Sequence, residues 1–190
     1  MKSAGLKYTG NSDALISIII VTYNAAKTLQ QCLASIYAQA YSAIEIIVID
    51  GNSTDDTVAI LQANAPRLAY WKSEPDEGIY HAMNKGIKHV NGSWLYFLGA
   101  DDELLPGFSD MKRQLKDASA VYYANVFANG EKRLGRLNSY QFAKFGPYHQ
   151  AMIYPREVFH RYEFDLHYKL SADFALKPKL SGDRAFHFVY

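Results

Sequence analysis

Hydrophobic and polar positions along the first half of the chain fall into two alternating patterns. Ile16–Val21 is an apolar, β-branched run, the pattern of a strand covered on both faces. Leu29, Cys32/Leu33 and Ile36/Tyr37 then recur at helical spacing on one face. A second buried-strand run, Ile44–Ile49, stops at Asp50-Gly51. Ser53 with Asp56 three positions on predicts a capping-box-like start for a helix carrying Val58 and Leu61, closed by Pro66. Leu68–Trp71 reads as a shorter strand, and Ile79, Met83, Ile87 and Val90 mark another helix. Trp94–Leu98 is a further strand, cut off by Gly99-Ala100-Asp101-Asp102. This β-α-β-α-β-α-β order predicts an α/β fold: a mostly parallel central sheet, right-handed crossovers and helices on both faces.

The second half is less regular. Met111–Leu115 predicts a short helix, Ala120–Phe127 a strand, and Asn129-Gly130 a hairpin turn into Lys132–Leu137. Tyr140–Phe145 predicts a helix, His149–Tyr154 a strand, and Ala172–Leu180 a helix interrupted at Pro178. The expected organisation is a flexible N-terminal segment, residues 1–14, and one domain, residues 15–190. The regular half of that domain is 15–105; 106–190 forms a smaller mixed lobe that completes a cleft.

In parallel sheets of this kind, ligands bind outside the carboxyl ends of the strands. Thr22, Tyr23 and Asn24, then Asp50 and Asn52, then Asp101 and Asp102 all fall at those ends. Three strands delivering polar groups to one rim is a site signal, where one alone would be a turn. Adjacent carboxylates repel each other and call for a cation. Oxygen-only ligands favour a hard ion, Mg²⁺ or Mn²⁺, over zinc.

Composition narrows the field. Hydrophobic residues make up 49% of the 190, enough for a continuous core. The 20 Lys+Arg nearly balance 19 Asp+Glu, which argues against a nucleic-acid binder working through a broad basic field. One cysteine, Cys32, excludes an internal disulfide framework and a Cys-rich zinc site, and its helical neighbours make it a buried thiol. No stretch reaches the roughly 18 apolar residues of a membrane span. Met1 to Asn11 lacks the apolar core of a signal peptide, so a cytoplasmic location is expected.

The motifs carry a family resemblance when taken together. Val21-Thr22-Tyr23-Asn24, Ile49-Asp50-Gly51-Asn52-Ser53-Thr54-Asp55 and Gly99-Ala100-Asp101-Asp102 resemble the family 2 glycosyltransferases. Glu74-Pro75-Asp76-Glu77-Gly78-Ile79-Tyr80 and Ala82-Met83-Asn84-Lys85-Gly86 are similar to one branch, the bacterial enzymes that build surface polysaccharides. His149-Gln150-Ala151-Met152 and Ser171-Ala172-Asp173-Phe174 match the same branch, in order.

The resemblance implies a GT-A-type nucleotide-binding fold and inverting transfer from a nucleotide-diphosphate sugar, with UDP favoured, assisted by Mg²⁺ or Mn²⁺. The acceptor is a hydroxyl of a saccharide or a lipid-linked molecule. Tyr23 would stack on the base, with Thr22 and Asn24 holding the loop, and Asp50 would accept a hydrogen bond from the base. Asp101 would lie near the ribose, Asp102 would hold the metal, and Asp173 would be the catalytic base. Asn52, Asp76, Gly78, Asn84 and Lys85 join the nucleotide site, and His149 and Gln150 the acceptor side. For Lys85 a solvated helix lysine is an equal account, and for His149 a structural histidine satisfied by backbone. For Asp173 the other account is a helix cap.

Departures from the family pattern bear on these roles. Many members carry a further Asp where this chain has Gly99, and members usually continue beyond the helix bearing Asp173. The latter leaves open a nucleotide-sugar-binding module without a complete acceptor side. The segment Lys132-Arg133-Leu134-Gly135-Arg136 with Tyr140, Phe142, Lys144 and Phe145 mixes basic and aromatic residues. It fits either an ordinary solvated hairpin or peripheral contact with the inner face of an anionic membrane. A dinucleotide fingerprint G-x-G-x-x-G is absent after the first strand, which excludes a nicotinamide or flavin site there.

Overall fold

The structure, a computed structural model, describes residues 14–111, 113–133 and 135–190. Apart from its last residue, the expected flexible segment 1–14 lies outside the described residues. The first half forms β1 (Ile16–Thr22), α1 (Leu29–Tyr37), β2 (Ile44–Asp50), α2 (Thr57–Asn64), β3 (Tyr70–Ser73), α3 (Ile79–Ile87) and β4 (Trp94–Gly99). Every residue of β1 is buried, because it lies between β2 and β4 and beneath helices on both faces. Ser17 is tolerated there because its hydroxyl donates to Glu45 at 2.5 Å and accepts the Gly92 N–H at 2.9 Å. All three pairings among β1, β2, β3 and β4 are parallel, with Thr22 opposite Asp50 and Val21 opposite Gly99. That register sets the carboxyl ends of β1, β2 and β4 level and makes the rim.

The core has two parts, one per sheet face. Ile16, Ile18 and Ile20 pack with Leu29, Cys32 and Leu33 of α1. Ile19 and Val21 point the other way, to Tyr80 and Met83 of α3 and to Leu176 beyond. Buried Cys32 donates its thiol to the Gly99 carbonyl at 3.4 Å, and burial pushes its pKa up to about 12, so it is an inert core thiol. On the opposite face α3 lies so close to β1 that a Cβ at Gly86 would sit 2.6 Å from Cγ2 of Ile19. Gly86→Ala is therefore expected to destabilise the fold by about 1–3 kcal/mol, read as a lower urea midpoint at unchanged slope.

The second half contributes α4 (Phe108–Met111), β5 (Ala120–Tyr123), β6 (Val126–Ala128), β7 (Glu131–Arg133), α5 (Ser139–Lys144), β8 (Met152–Pro155), α6 (Arg156–Arg161), α7 (Ala172–Gly182) and β9 (His187–Val189). Three of these strands extend the first-half sheet, in the order β3-β2-β1-β4-β8-β5-β9. β8 runs antiparallel to β4 and β5, and β9 parallel to β5. The mixed lobe is thus continuous with the nucleotide half through one sheet. Among the described residues no helix is long and apolar enough to cross a membrane.

Several elements differ from their sequence patterns. The start of α2 is not a capping box: Asp56 makes no capping hydrogen bond, and Asp55 instead accepts from Thr57 N at 3.0 Å. β3 begins two residues late, because Ala65–Arg67 forms a tight turn that uses Leu68 N. The expected strand Ala120–Phe127 divides at Ala124-Asn125, where Ala124 N turns to the Ala151 carbonyl and Asn125 accepts from Gly135 N at 2.7 Å. His149–Ala151 is a turn, and the strand starts only at Met152. The expected helix Met111–Leu115 instead lies at Phe108–Met111. The last helix is not interrupted at Pro178; it runs on to Gly182, held by buried Leu176, Lys177 and Leu180. α6 and β9 were unmarked, being too short to show a period.

Candidate active site at the carboxyl ends of the strands

The rim is built from loops that brace one another. After β1, Asn24 adopts a left-handed conformation, φ 51°, which Asn tolerates at low cost. Its N–H donates to Ser53 Oγ at 2.8 Å and its side chain accepts from Thr54 N at 2.9 Å. Gly51 N–H returns to the Thr22 carbonyl at 2.8 Å. Asp50 is fully buried, and its carboxylate accepts from Ser53 N at 2.9 Å, Ser53 Oγ at 2.5 Å and Ser73 Oγ at 2.6 Å. Asp50 thus pins the loop with three of its acceptor positions, and about one is left over for the contact to the base that the resemblance implies.

That pinning brings Gly51 between two other side chains: a Cβ there would lie 2.7 Å from Asp76 Oδ2 and 3.5 Å from the Tyr23 ring. A side chain there would push the Asp76 carboxylate aside and rest in ordinary contact with the Tyr23 ring. Asp76 in turn accepts the N–H of Gly78 at 2.8 Å, and Gly78 has the positive φ of 116° that starts α3. Tyr23 is left 64% exposed, a flat aromatic face on a fixed loop. Aromatic–base stacking is worth about 1–3 kcal/mol in nucleic-acid-binding proteins. By analogy, Tyr23→Ala should weaken UDP by roughly 5–150-fold without lowering the melting temperature, measured by calorimetric titration.

At the end of β4, Asp101 and Asp102 turn back over Gly99. A Cβ on Gly99 would meet Asp101 Oδ1 and Asp102 Oδ2 at 2.8 Å each, so the two carboxylates converge on one point of the backbone. Asp102 accepts from Gly99 N at 3.3 Å. Burial, then the neighbouring Asp101 charge, raises its pKa, against the lowering effect of Gly99 and Gln150. Among the described residues no group of three or more His, Cys, Asp or Glu side chains stands together. Two converging carboxylates, one pushed toward protonation by burial and then by its neighbour, suit Mg²⁺ or Mn²⁺, because such ions complete their shell with water and substrate phosphates. The residues present fit such an ion.

Across the cleft, Asp173 stands in the first turn of α7. It does not cap the helix: Tyr80 donates to its Oδ1 at 2.5 Å and Lys177, one turn on, to its Oδ2 at 3.2 Å. Burial would raise the Asp173 pKa, but the Tyr80 hydroxyl and the His149 and Lys177 charges outweigh it and hold the carboxyl below its ordinary value of 3.8. His149 contributes little to this at neutral pH. Burial lowers its own pKa to about 4, so the ring is neutral there, and Tyr80 and Lys177 are the partners that count. His149 stacks on Phe97 with centroids 5.2 Å apart and lies 3.4 Å from the Tyr154 hydroxyl through Nδ1. Its Nε2 and the Thr22 hydroxyl are buried polar atoms without a hydrogen-bond partner among the described residues. Both belong to the walls of the same cleft.

This cleft has a volume of about 1130 Å³ and brings together Thr22, Tyr23, Asn24, Asp101, His149, Gln150 and Asp173. Asp102 lines the adjoining groove of about 550 Å³, which shares Asp101 and Gln150 with the cleft. Two expected nucleotide residues make contacts within the protein. Asn84 clamps the backbone of Phe164, donating to its carbonyl at 2.8 Å and accepting from its N–H at 3.0 Å. Lys85 donates to the Pro75 carbonyl at 2.8 Å and pairs with Glu74 at 3.0 Å, bracing the loop before α3. Asn52, exposed with φ 65°, shapes the turn after β2.

Tyr80, Lys177, Arg133 and Lys144 also line the cleft and were not expected there. Lys177 had a signal, its i,i+4 spacing from Asp173 on one helix face. Tyr80 ends a quoted family motif, but its pairing with Asp173 had no local signal, since the partner lies 93 residues away.

The sequence model described as Glycosyl transferase family 2 matches residues 17–178. A PGL/p-HBAD biosynthesis glycosyltransferase of Mycobacterium bovis (strain BCG / Pasteur 1173P2) is 34% identical over 171 residues, 84% of this chain and 66% of that protein. The chain spans 34% to 66% of the length of the curated relatives it matches. Among solved structures, S. aureus TarS superposes with a TM-score of 0.73 at 21% identity over 87% of this chain and 33% of its own. The complex of TarS 1-349 with UDP-GlcNAc gives 0.62 at 20% identity, covering 77% of this chain and 46% of the other. Mannosyltransferase PcManGT from Pyrobaculum calidifontis, in complex with GDP-Man and Mn²⁺, gives 0.71 at 20% identity over 92% of this chain and 53% of its own. At these identities the structural likeness is one of fold.

Proposed function

Because the chain belongs to glycosyl transferase family 2 and has the GT-A fold, we propose that it transfers a sugar with inversion from a UDP-sugar to an acceptor hydroxyl. The donor would lie along the rim, with its base on Tyr23 and its ribose near Asp101. A divalent ion held by Asp101 and Asp102 would neutralise charge on the leaving diphosphate as a Lewis acid. Tyr80 and Lys177 hold the Asp173 carboxylate ionised, and that carboxylate takes the acceptor's proton. The acceptor oxygen forms its bond to the anomeric carbon as the bond to the UDP oxygen breaks. The electron pair of the broken bond leaves on UDP. Attack from the face opposite the leaving group makes an α-linked donor give a β product. No side chain of the protein is bonded to the sugar at any stage.

One observation carries this reading: Asp173, ionised and held by Tyr80 and Lys177 instead of capping its helix, shares a cleft with Tyr23 and Asp101. The UDP-GlcNAc complex of a protein with this fold supports the choice of donor nucleotide. The test is UDP release from a panel of UDP-sugars with Mn²⁺, followed by the anomeric configuration of the product by NMR. Tight UDP binding with no release from any donor identifies a nucleotide-sugar-binding module. A retained configuration overturns direct displacement.

A further inference from the structure

Among the described residues, the cleft is lined by Arg133 from β7, Lys144 from the end of α5 and Lys177 from α7. Lys177 is taken by Asp173 at 3.2 Å. Arg133 pairs with exposed Glu131 of its own hairpin at 3.0 Å, a contact that water screens heavily. Lys144 has no carboxylate partner among the described residues; its ammonium lies 5.1 Å from the Phe145 ring and 5.6 Å from that of Tyr140. Two cations therefore face the cleft with their charge available to a ligand.

Their neighbours place Lys144 on the acceptor side. Gly146, two positions on and at φ 63°, packs so closely that a Cβ there would lie 2.9 Å from Cδ of Lys177. Lys177 holds Asp173, so the segment from Lys144 to Tyr148 stands beside the base, where an acceptor must enter. Phe145 and Tyr148 of this segment, and Phe174 next to the base, line the cleft with exposed rings. Exposed rings grouped on one wall mark a binding surface, and a flat ring suits the apolar C–H face of a sugar.

Charge narrows the choice of sugar. A neutral acceptor calls for no cation at this wall. An anionic one would be repelled by Asp101 and Asp173, and cations beside its path remove that penalty. We infer that the acceptor is an acidic saccharide, its carboxylate or phosphate group met by Lys144 and Arg133 and its ring by Phe145 and Tyr148. This rests on the transferase reading of the same cleft and adds the charge of its second substrate. The acidic sugar still offers a free hydroxyl to Asp173, so the reaction is unchanged.

The experiment is calorimetric titration of the full chain, saturated with UDP and Mn²⁺, with three dextrans of equal length: unmodified, carboxymethylated and phosphorylated. Polyglutamate serves as a polyanion without sugar. A charged dextran should bind about 10-fold tighter than the unmodified one, and the tighter of the two identifies the anion. Arg133→Gln with Lys144→Gln should weaken the charged dextran by about 5–30-fold and leave the unmodified one nearly unchanged. Phe145→Ser, at an exposed position, should weaken all three dextrans alike. Equal binding of charged and unmodified dextrans, equal binding of polyglutamate, or no dextran binding overturns the inference. Thermal shift with UDP and Mn²⁺ separates it from the transferase reading, and the double variant should keep that shift. If the double variant loses it, the two cations serve the donor diphosphate, and the inference fails while the transferase reading stands. A wild type without the shift undermines the transferase reading itself, whatever the dextrans do.

Discussion

Asp173→Asn lowers sugar transfer by about 10²–10⁴-fold, the usual contribution of a positioned general base. The change keeps the shape of the side chain and an oxygen to accept from Tyr80, but it removes the negative charge that takes the proton. It also strands Lys177, whose side chain is only 7% exposed. Breaking a buried ion pair from one side costs up to about 3–5 kcal/mol, so the melting temperature should fall as well. Lys177 limits that loss, because burial already lowers its pKa and it sheds its proton more readily than an exposed lysine. Asp173→Asn combined with Lys177→Met separates the two effects. Stability should recover, because no unpaired charge remains, and transfer should not. Transfer by the double variant within a few-fold of wild type makes the pair a structural strut and removes Asp173 from the chemistry.

The pH dependence follows from the same contacts. Asp173 has its folded pKa held below 3.8, so its contribution to stability is present above that value and is lost as pH falls through the folded pKa. As a base it stays ionised throughout the neutral range. The acid limb of the transfer profile assigned to Asp173 should lie below pH 3.8, measured by initial rates in buffers of constant ionic strength. A limb near pH 4 that vanishes in His149→Gln belongs to His149 instead.

UDP and Mn²⁺ together should raise the melting temperature more than the sum of either alone, and Asp102→Asn should abolish the excess. A ligand at ~100 times its dissociation constant stabilises by roughly 2.7 kcal/mol. For a chain of this length that is about 5–10 °C. Without ligand the variant should melt at the same temperature as wild type or higher. The sign comes from the raised pKa of Asp102: burial and the Asp101 charge disfavour its ionised form in the fold, so the native carboxylate costs stability at neutral pH. Loss of the metal effect with a gain in unliganded stability is the signature of a site kept for function at the expense of the fold. Equal UDP–Mn²⁺ shifts in both proteins would remove the ion from this pair.

The sequence by itself determined the first half of this molecule and the place of its candidate site. Runs as apolar as Ile16–Val21, broken only by Ser17, have one stable home, a strand buried on both faces, and their alternation with helical periods leaves a parallel sheet as the outcome. The rim then follows, since polar residues that end such runs must stand at the carboxyl edge. That Tyr23 and Asp101 line one cleft was legible in this way, and the place of Asp173 through motif order. Tertiary structure decided what each side chain is free to do. Asp50, Asn84 and Lys85 sit in the expected motifs, and the fold engages their polar groups with Ser53 and Ser73, with Phe164 and with Glu74. Tyr80 and Lys177 became partners of Asp173, and the two ends of the expected strand Ala120–Phe127 went to different sheets. The physical reason is range. Strand and helix patterns come from neighbours within a few residues, so local sequence encodes them. A hydrogen bond between residues 93 positions apart exists only after the sheet has set their distance.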